Sequence, residues 1–187
     1  MQAQTAVVSA STLVLRRAVA VTLGAALVAV AAQVAVPLPG TPVPMTLQPL
    51  AVLTVGGLLG ARLGAASLVL YLALGAAGLP VFTPFGLPGV ARLIGPTGGY
   101  LLAYPVAAFA VGALASDGRR WLRLSLAVLT GLVLIHLGGA AQLLILTGGA
   151  GEAVRLGTLP FLLGDLGKLA IAVLALRPTM RFVRARL

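Results

Sequence analysis

Six apolar stretches, at residues 17–36, 45–61, 63–82, 94–115, 121–147 and 157–177, take up most of the chain. Each is close to the roughly 20 residues that a helix needs to cross the hydrocarbon core of a bilayer. Composition agrees: 60% of the 187 residues are hydrophobic and 9% are charged, whereas an ordinary soluble domain carries about 25% charged residues. Mean hydropathy is +1.11. A soluble fold would need nearly the whole chain as core, which surface-to-volume scaling forbids at this size. The expected architecture is an all-α integral membrane protein, a bundle of six transmembrane helices forming one domain over residues 1–187. No polar linker long enough to separate two domains interrupts it. The stretch LRRAVAVTLGAALVAVAAQVA has the basic start and small residues of a cleavable signal, but more apolar spans follow, so it reads as the first helix.

The segments between the spans are VPLPGTPVP (36–44), GARLG (60–64), TPFGLPGVARLIGPTGG (83–99), SDGRR (116–120) and GGAGEAVRLG (148–157). Each carries the Gly, Pro or charge that interrupts a helix. Six spans place both termini on one side, and the basic residues say which. Arg16 and Arg17 precede the first span, and Arg62 lies between the second and third. Arg119, Arg120 and Arg123 lie between the fourth and fifth, and Arg177, Arg181, Arg184 and Arg186 follow the sixth. Ten of the 13 basic residues thus share one side, which the positive-inside rule makes cytoplasmic. The formal charge of +10 is therefore a topology signal. Nucleic-acid binders instead cluster Lys and Arg on a soluble face with aromatic or polar contacts between them, so no nucleic-acid partner is expected, and membrane lipid is. The two external Pro- and Gly-rich loops, 36–44 and 83–99, are long for connectors and suit a wall or lid over a cavity.

Topology leaves three cations unexplained: Arg92 in the third loop, Arg155 in the fifth, and Lys168 inside the sixth span. Lys168 lies three residues after Asp165, so the two share a helical face. Each charge at a membrane helix centre costs about 2.5–3.5 kcal/mol, while an exposed i,i+3 pair returns only about 0.2–0.5 kcal/mol. Pairing along the helix does not account for both, and intramembrane ionisable residues point first to a solute or proton site. Arg92 offers a planar fork for a carboxylate. Thr46 and Gln48 open the second span at the same external end. A glutamine amide suits a ligand that both donates and accepts, although capping of the span is an equal reading. Tyr100 begins the fourth span, where an interfacial anchor is the default.

His136 and Gln142 lie in the fifth span, where a single histidine more often bonds a neighbouring helix than binds metal, with proton relay as a minor further reading. No metal site or cofactor is expected. The chain has no Cys, no H-E-x-x-H and no G-x-S-x-G, and it lacks a nucleotide-binding P-loop, so neither an enzyme nor an intrinsic ATPase is expected. Small residues recur four apart at Gly56, Gly60 and Gly64 and at Ala25 and Ala29, a spacing that lets membrane helices approach closely. Internal packing is the ordinary reading. On the first helix, whose face carries Ala18, Thr22, Ala25 and Ala29, docking to another membrane protein is the second reading, with Ala25 and Ala29 as the candidate contacts.

Three stretches carry a family resemblance: VPMTLQPLAVLTVGGLLGARLGAASLVLYLALGAAGLPVF (43–82), LIGPTGGYLLAYPVAAFAVG (93–112) and LPFLLGDLGKLAIA (159–172). Together they resemble the BioY family, the biotin-capturing S components of energy-coupling factor (ECF) transporters. The resemblance implies six membrane helices with a biotin pocket near the external face, capped by loops. It assigns ligand binding to the basic residue before GPTGGY and to the acidic and lysine pair of the last helix, here Arg92, Asp165 and Lys168. It also implies a transmembrane coupling protein and two ATPase subunits as partners in the cytoplasmic membrane, docked through small residues of the first helix. Biotin's carboxylate calls for a cation, Arg92 or Lys168, and its ureido ring has one carbonyl and two N–H groups that Lys168, Asp165 and Gln48 complement. Two alternatives stay open: an S component for another vitamin, and an assembly protein whose Asp165–Lys168 pair only locks helix packing.

Overall fold

The computed structural model describes residues 10–118 and 120–187. Arg119, one of the arginines behind the orientation argument, lies outside them. The helices are α1 (Ala10–Gln33), α2 (Gln48–Ala76), α3 (Ala91–Ile94), α4 (Gly98–Leu114), α5 (Trp121–Thr147), α6 (Ala150–Gly157) and α7 (Leu162–Arg184), with a single 3-10 turn at Leu159–Phe161. Four helical stretches among the described residues are long and apolar enough to cross a membrane: Ala10–Gln33, Gln48–Ala76, Trp121–Thr147 and Ala150–Arg184. The shorter Gly98–Leu114 is also apolar.

The second of these stretches is not one rod. Gly60 interrupts α2 with φ 80° and ψ 177°, a region of backbone space that is essentially glycine-only. Gln48 Nε2 donates to Tyr71 Oη at 2.7 Å, yet the two would stand roughly 35 Å apart along a straight helix rising 1.5 Å per residue. The chain therefore folds back at Gly60, and the expected interruption at GARLG is a helical hairpin turn. A Cβ placed on Gly64 would lie 2.9 Å from Gly56 Cα, so the small residues four apart let the two arms of the hairpin touch.

The hairpin is the centre of the bundle, packing on α1, α4 and α7, while α5 packs on α4 and α7. Val52, Leu53, Leu68, Tyr71, Val111, Leu124 and Leu176 are fully buried between these helices, whereas Leu23, Val30, Leu126, Ile145, Leu163 and Leu174 point outward. Apolar side chains thus line both the inside and the perimeter, as in a bundle whose solvent is lipid. Where the hairpin turns, Arg184 donates to the carbonyls of Gly57 (3.0 and 2.7 Å), Gly112 (3.2 Å) and Ser116 (2.6 Å). One guanidinium so satisfies carbonyls freed at two helix ends.

Several boundaries differ from the sequence reading. The span expected at 94–115 is shortened to α4, because Gly95 is extended and Pro96 follows, which separates α3 from α4. The last span is shifted from 157–177 to Leu162–Arg184. The break at 148–157 is only partly loop: Gly148 ends α5 in a left-handed conformation, φ 73°, and α6 follows. On α6, Arg155 pairs with Glu152 at 2.6 Å in full view of solvent, a contact worth little. Loop 36–44 departs from an all-α description. Its flanks pair as a two-residue antiparallel ladder, β1 (Ala35–Val36) with β2 (Met45–Thr46). The prolines at 37, 39, 42 and 44 lack the N–H needed to extend it.

Candidate functional site: a cavity lined by Asp165 and Lys168

Asp165 falls in the first turn of α7, where a helix end favours negative charge. Lys168 lies one turn on, and its Nζ donates to Asp165 Oδ1 at 2.8 Å with both side chains buried. Both face a cavity with an empty volume of about 560 Å³, which Thr46, Gln48, Arg92 and Tyr100 also line. The six residues put forward as ligand-binding candidates from the sequence are all buried, and the tertiary fold brings them to this one place. The wall is closed by apolar residues including Val43, Phe82, Leu101, Ile135 and Phe161. A mostly apolar enclosure with a few convergent polar groups is the ordinary form of a small-molecule site.

Gln48 is fixed from two sides. Thr46 Oγ1 accepts from its backbone N–H at 3.2 Å and donates to its Oε1 at 3.3 Å, while its Nε2 reaches Tyr71. One amide hydrogen and one carbonyl lone pair of Gln48 remain for a ligand. Tyr100 is not an interfacial anchor. Its hydroxyl donates to the Gly157 carbonyl at 2.5 Å, and its ring rests so closely on Gly139 that a Cβ there would come 2.0 Å from Cζ. Its contribution is a wall that ties α4 to the end of α6.

Arg92 sits on α3, and three of its N–H groups are already used within its own loop. They reach Thr83 Oγ1 at 3.0 Å, the Thr83 carbonyl at 2.8 Å and the Leu87 carbonyl at 2.9 Å. Burial pulls its pKa below the ordinary arginine value. Two N–H groups of the guanidinium stay uncommitted among the described residues. Arg92 also borders an outer cavity of about 840 Å³ beneath loops 36–44 and 83–99, which shares Pro44 and Thr97 with the inner one. Arg92 therefore both folds the loop and borders both spaces. Lysine keeps the charge but not the planar fork. An Arg92→Lys variant is expected to loosen residues 83–91, read as faster amide hydrogen exchange there, and to speed release of a bound solute by about tenfold or more.

Sequence reasoning did not place His136, Thr83, Thr97 or Tyr104 in the site, and all four also line the cavity. His136 was read as bonding a neighbouring helix, and it does: Nε2 lies 2.6 Å from Asp165 Oδ2. Twenty-nine positions separate the two, and no spacing rule links them. Gln142 stays outside the cavity and donates to the Ile94 carbonyl at 3.0 Å. The docking candidates on α1 need correction. Ala25 is only 2% exposed, and Ala29 packs against the core, because the α1 face bearing them is pressed onto the hairpin. The outward face of α1 presents Ala18, Thr22, Ala26 and Val30.

A family model described as BioY matches residues 2–185. The chain belongs to the BioY family. Among BioY relatives, it is 43% identical over 154 residues to the probable biotin transporter BioY of Pyrococcus horikoshii, covering 82% of this chain and 90% of that one. It is 37% identical over 149 residues to the biotin transporter BioY of Thermotoga maritima, covering 80% and 86%. Among solved structures, it superposes with a TM-score of 0.82 and 26% identity on a crystal structure of the S component for biotin from an ECF-type ABC transporter. That match covers 91% of this chain and 93% of the other. This BioY protein is accordingly a multi-pass membrane protein, and its membership places it among transporters rather than enzymes.

Proposed function

We propose that this chain captures biotin in the inner cavity and serves its uptake across the cytoplasmic membrane as the substrate-binding subunit of an ECF-type transporter. The observation that carries the reading is the convergence of Asp165, Lys168, Gln48 and Arg92 on one apolar-walled cavity, in a fold that matches a biotin S component over nine-tenths of the chain. Lys168 has two further N–H groups for a ligand, Asp165 has spare lone pairs, and Gln48 offers one donor and one acceptor. These complement a ureido ring, while Arg92 or Lys168 takes the carboxylate. Thr46 and Tyr100 shape the pocket around them.

In this reading residues 1–187 form one membrane domain with six crossings, the two arms of the α2 hairpin counting separately. Both termini then face the cytoplasm, the side that the flanking arginines favour. A transmembrane coupling protein and two ATPase subunits complete the transporter, and the coupling protein meets the outward face of α1. Tryptophan at Ala18 and Ala26 is then expected to abolish biotin uptake by cells that express the whole assembly, while the purified variant keeps wild-type biotin affinity. Loss of binding instead of uptake would move the docking surface elsewhere.

Titration calorimetry of the purified protein in detergent tests the central claim. Tight one-to-one binding of biotin is expected. A folded wild type that ignores biotin and takes up heat with another vitamin would reassign the substrate.

A further inference from the structure

Asp165 is held from two directions. Lys168 Nζ reaches Oδ1 at 2.8 Å, and His136 Nε2 reaches Oδ2 at 2.6 Å. The other ring nitrogen, Nδ1, lies 3.3 Å from the Gly157 carbonyl, which also accepts from Tyr100. Both nitrogens of the imidazole therefore face oxygens. A carbonyl only accepts, and a carboxylate bonded to Lys168 is ionised and also only accepts. Either neutral tautomer would leave one ring lone pair pointing at an oxygen lone pair. The doubly protonated ring leaves none.

We infer that His136 is a positioning residue held as an imidazolium, and that it turns the electrically balanced Asp165–Lys168 pair into a cluster of net charge +1 that favours an anionic solute. The inference rests on the cavity being the solute site proposed above, and it adds regulation by protons. The surroundings of the ring are consistent. α7 contributes Asp165 and, behind it, Lys168, while α4 contributes the phenols Tyr100 and Tyr104. The α6 end contributes the Gly157 carbonyl, Phe161 contributes an apolar ring, α2 the neutral Gln48, and α3 the cation Arg92 across the cavity. Asp165 is the sole carboxylate in the cavity lining, so its one negative charge is shared by Lys168 and the ring, and the protonated ring adds a positive charge to that of Arg92 across the cavity.

The ring has no uncommitted N–H for a ligand. His136 acts instead by fixing the Asp165 carboxylate, so that Lys168 keeps two N–H groups directed elsewhere. By linkage, a solute whose binding needs the extra proton gains affinity from it, and the proton is held more tightly when the solute is bound. Affinity for an anion is therefore greatest while the ring carries both protons.

The chain holds one histidine, so ¹⁵N-histidine labelling of protein purified without a histidine tag reads this ring alone. Two N–H-type ring nitrogens are expected near neutral pH. Asp165→Asn removes the anion and should leave a neutral ring with one unprotonated nitrogen. Biotin calorimetry across about pH 6 to 9 should show affinity falling with rising pH in the wild type, by at most ~tenfold per pH unit for a single linked proton. His136→Gln keeps an N–H donor for Asp165 but cannot gain a proton; it is expected to fold, to bind more weakly, and to show a flat pH profile. A neutral ring in the wild type, with or without biotin, overturns the inference. So do parallel pH profiles for wild type and His136→Gln. An imidazolium ring in a folded protein that has no biotin affinity at any pH supports the ring assignment and removes the biotin reading instead.

Discussion

Lys168→Met is expected to weaken biotin binding by about 30-fold to several thousand-fold, the equivalent of roughly 2–5 kcal/mol for truncating one member of a buried, hydrogen-bonded charge pair. Lys168 is 6% exposed and Asp165 is its one acceptor among the described residues, so the methionine removes both the bond to Asp165 and the two N–H groups left for a solute. A large effect on one variant does not separate function from folding, because it leaves Asp165 with a single partner. The double variant Asp165→Leu, Lys168→Met makes that separation. Replacing a buried ion pair by apolar side chains of similar size is often neutral or stabilising. The double variant should therefore melt close to the wild-type temperature, the lost bond from His136 to Asp165 offsetting part of any gain, while biotin heat is absent from calorimetry. Retained biotin binding in a folded double variant would return the pair to a packing role.

Gly60→Ala should lower stability by about 1–3 kcal/mol, the usual cost of forcing a side chain into this part of backbone space. The cause can be assigned cleanly. A Cβ on Gly60 would have as its nearest neighbours two Arg184 atoms at 4.0 Å, so space is available and the cost lies in the backbone torsions alone. Because the hairpin positions Gln48 against Tyr71 and packs on α1, α4 and α7, the loss should appear as a lower unfolding midpoint in detergent and less folded protein in the membrane. The folded fraction should bind biotin as the wild type does, since Gly60 is remote from the cavity lining. A Gly60→Ala protein with unchanged thermal stability would show that the turn tolerates a different path.

Much of the site was legible because a membrane makes charge conspicuous. In an apolar span a lysine and an aspartate three residues apart have no solvent to account for them, and the arginine count removes every cation that topology explains, leaving Arg92, Arg155 and Lys168. Two of those three line the cavity. Arg155 does not, because Glu152 one turn away on α6 takes it up at the surface. Glu152 was visible in the sequence, but the helix that aligns the pair was not, since GGAGEAVRLG reads as a break. Thr83 was hidden for a different reason: it matters because the loop wraps Arg92 with its hydroxyl and carbonyl, and loop conformation has no periodicity to read.

The sequence by itself determined the membrane habitat, the rough extent of the apolar segments, and the residue types that line the cavity. Those depend on residue type and on spacing within one helix, where 3.6 residues per turn puts Asp165 beside Lys168. Only the tertiary structure decided which face of α1 is free, that Arg92 is committed to its own loop, and that His136 shares Asp165 with Lys168. Each of these turns on the rotation of one helix against another. In a chain that is apolar on every side of its helices, inside and outside positions carry the same residues, and hydrophobic pattern leaves that rotation undetermined. Close contacts such as Gly139 against the Tyr100 ring set it instead.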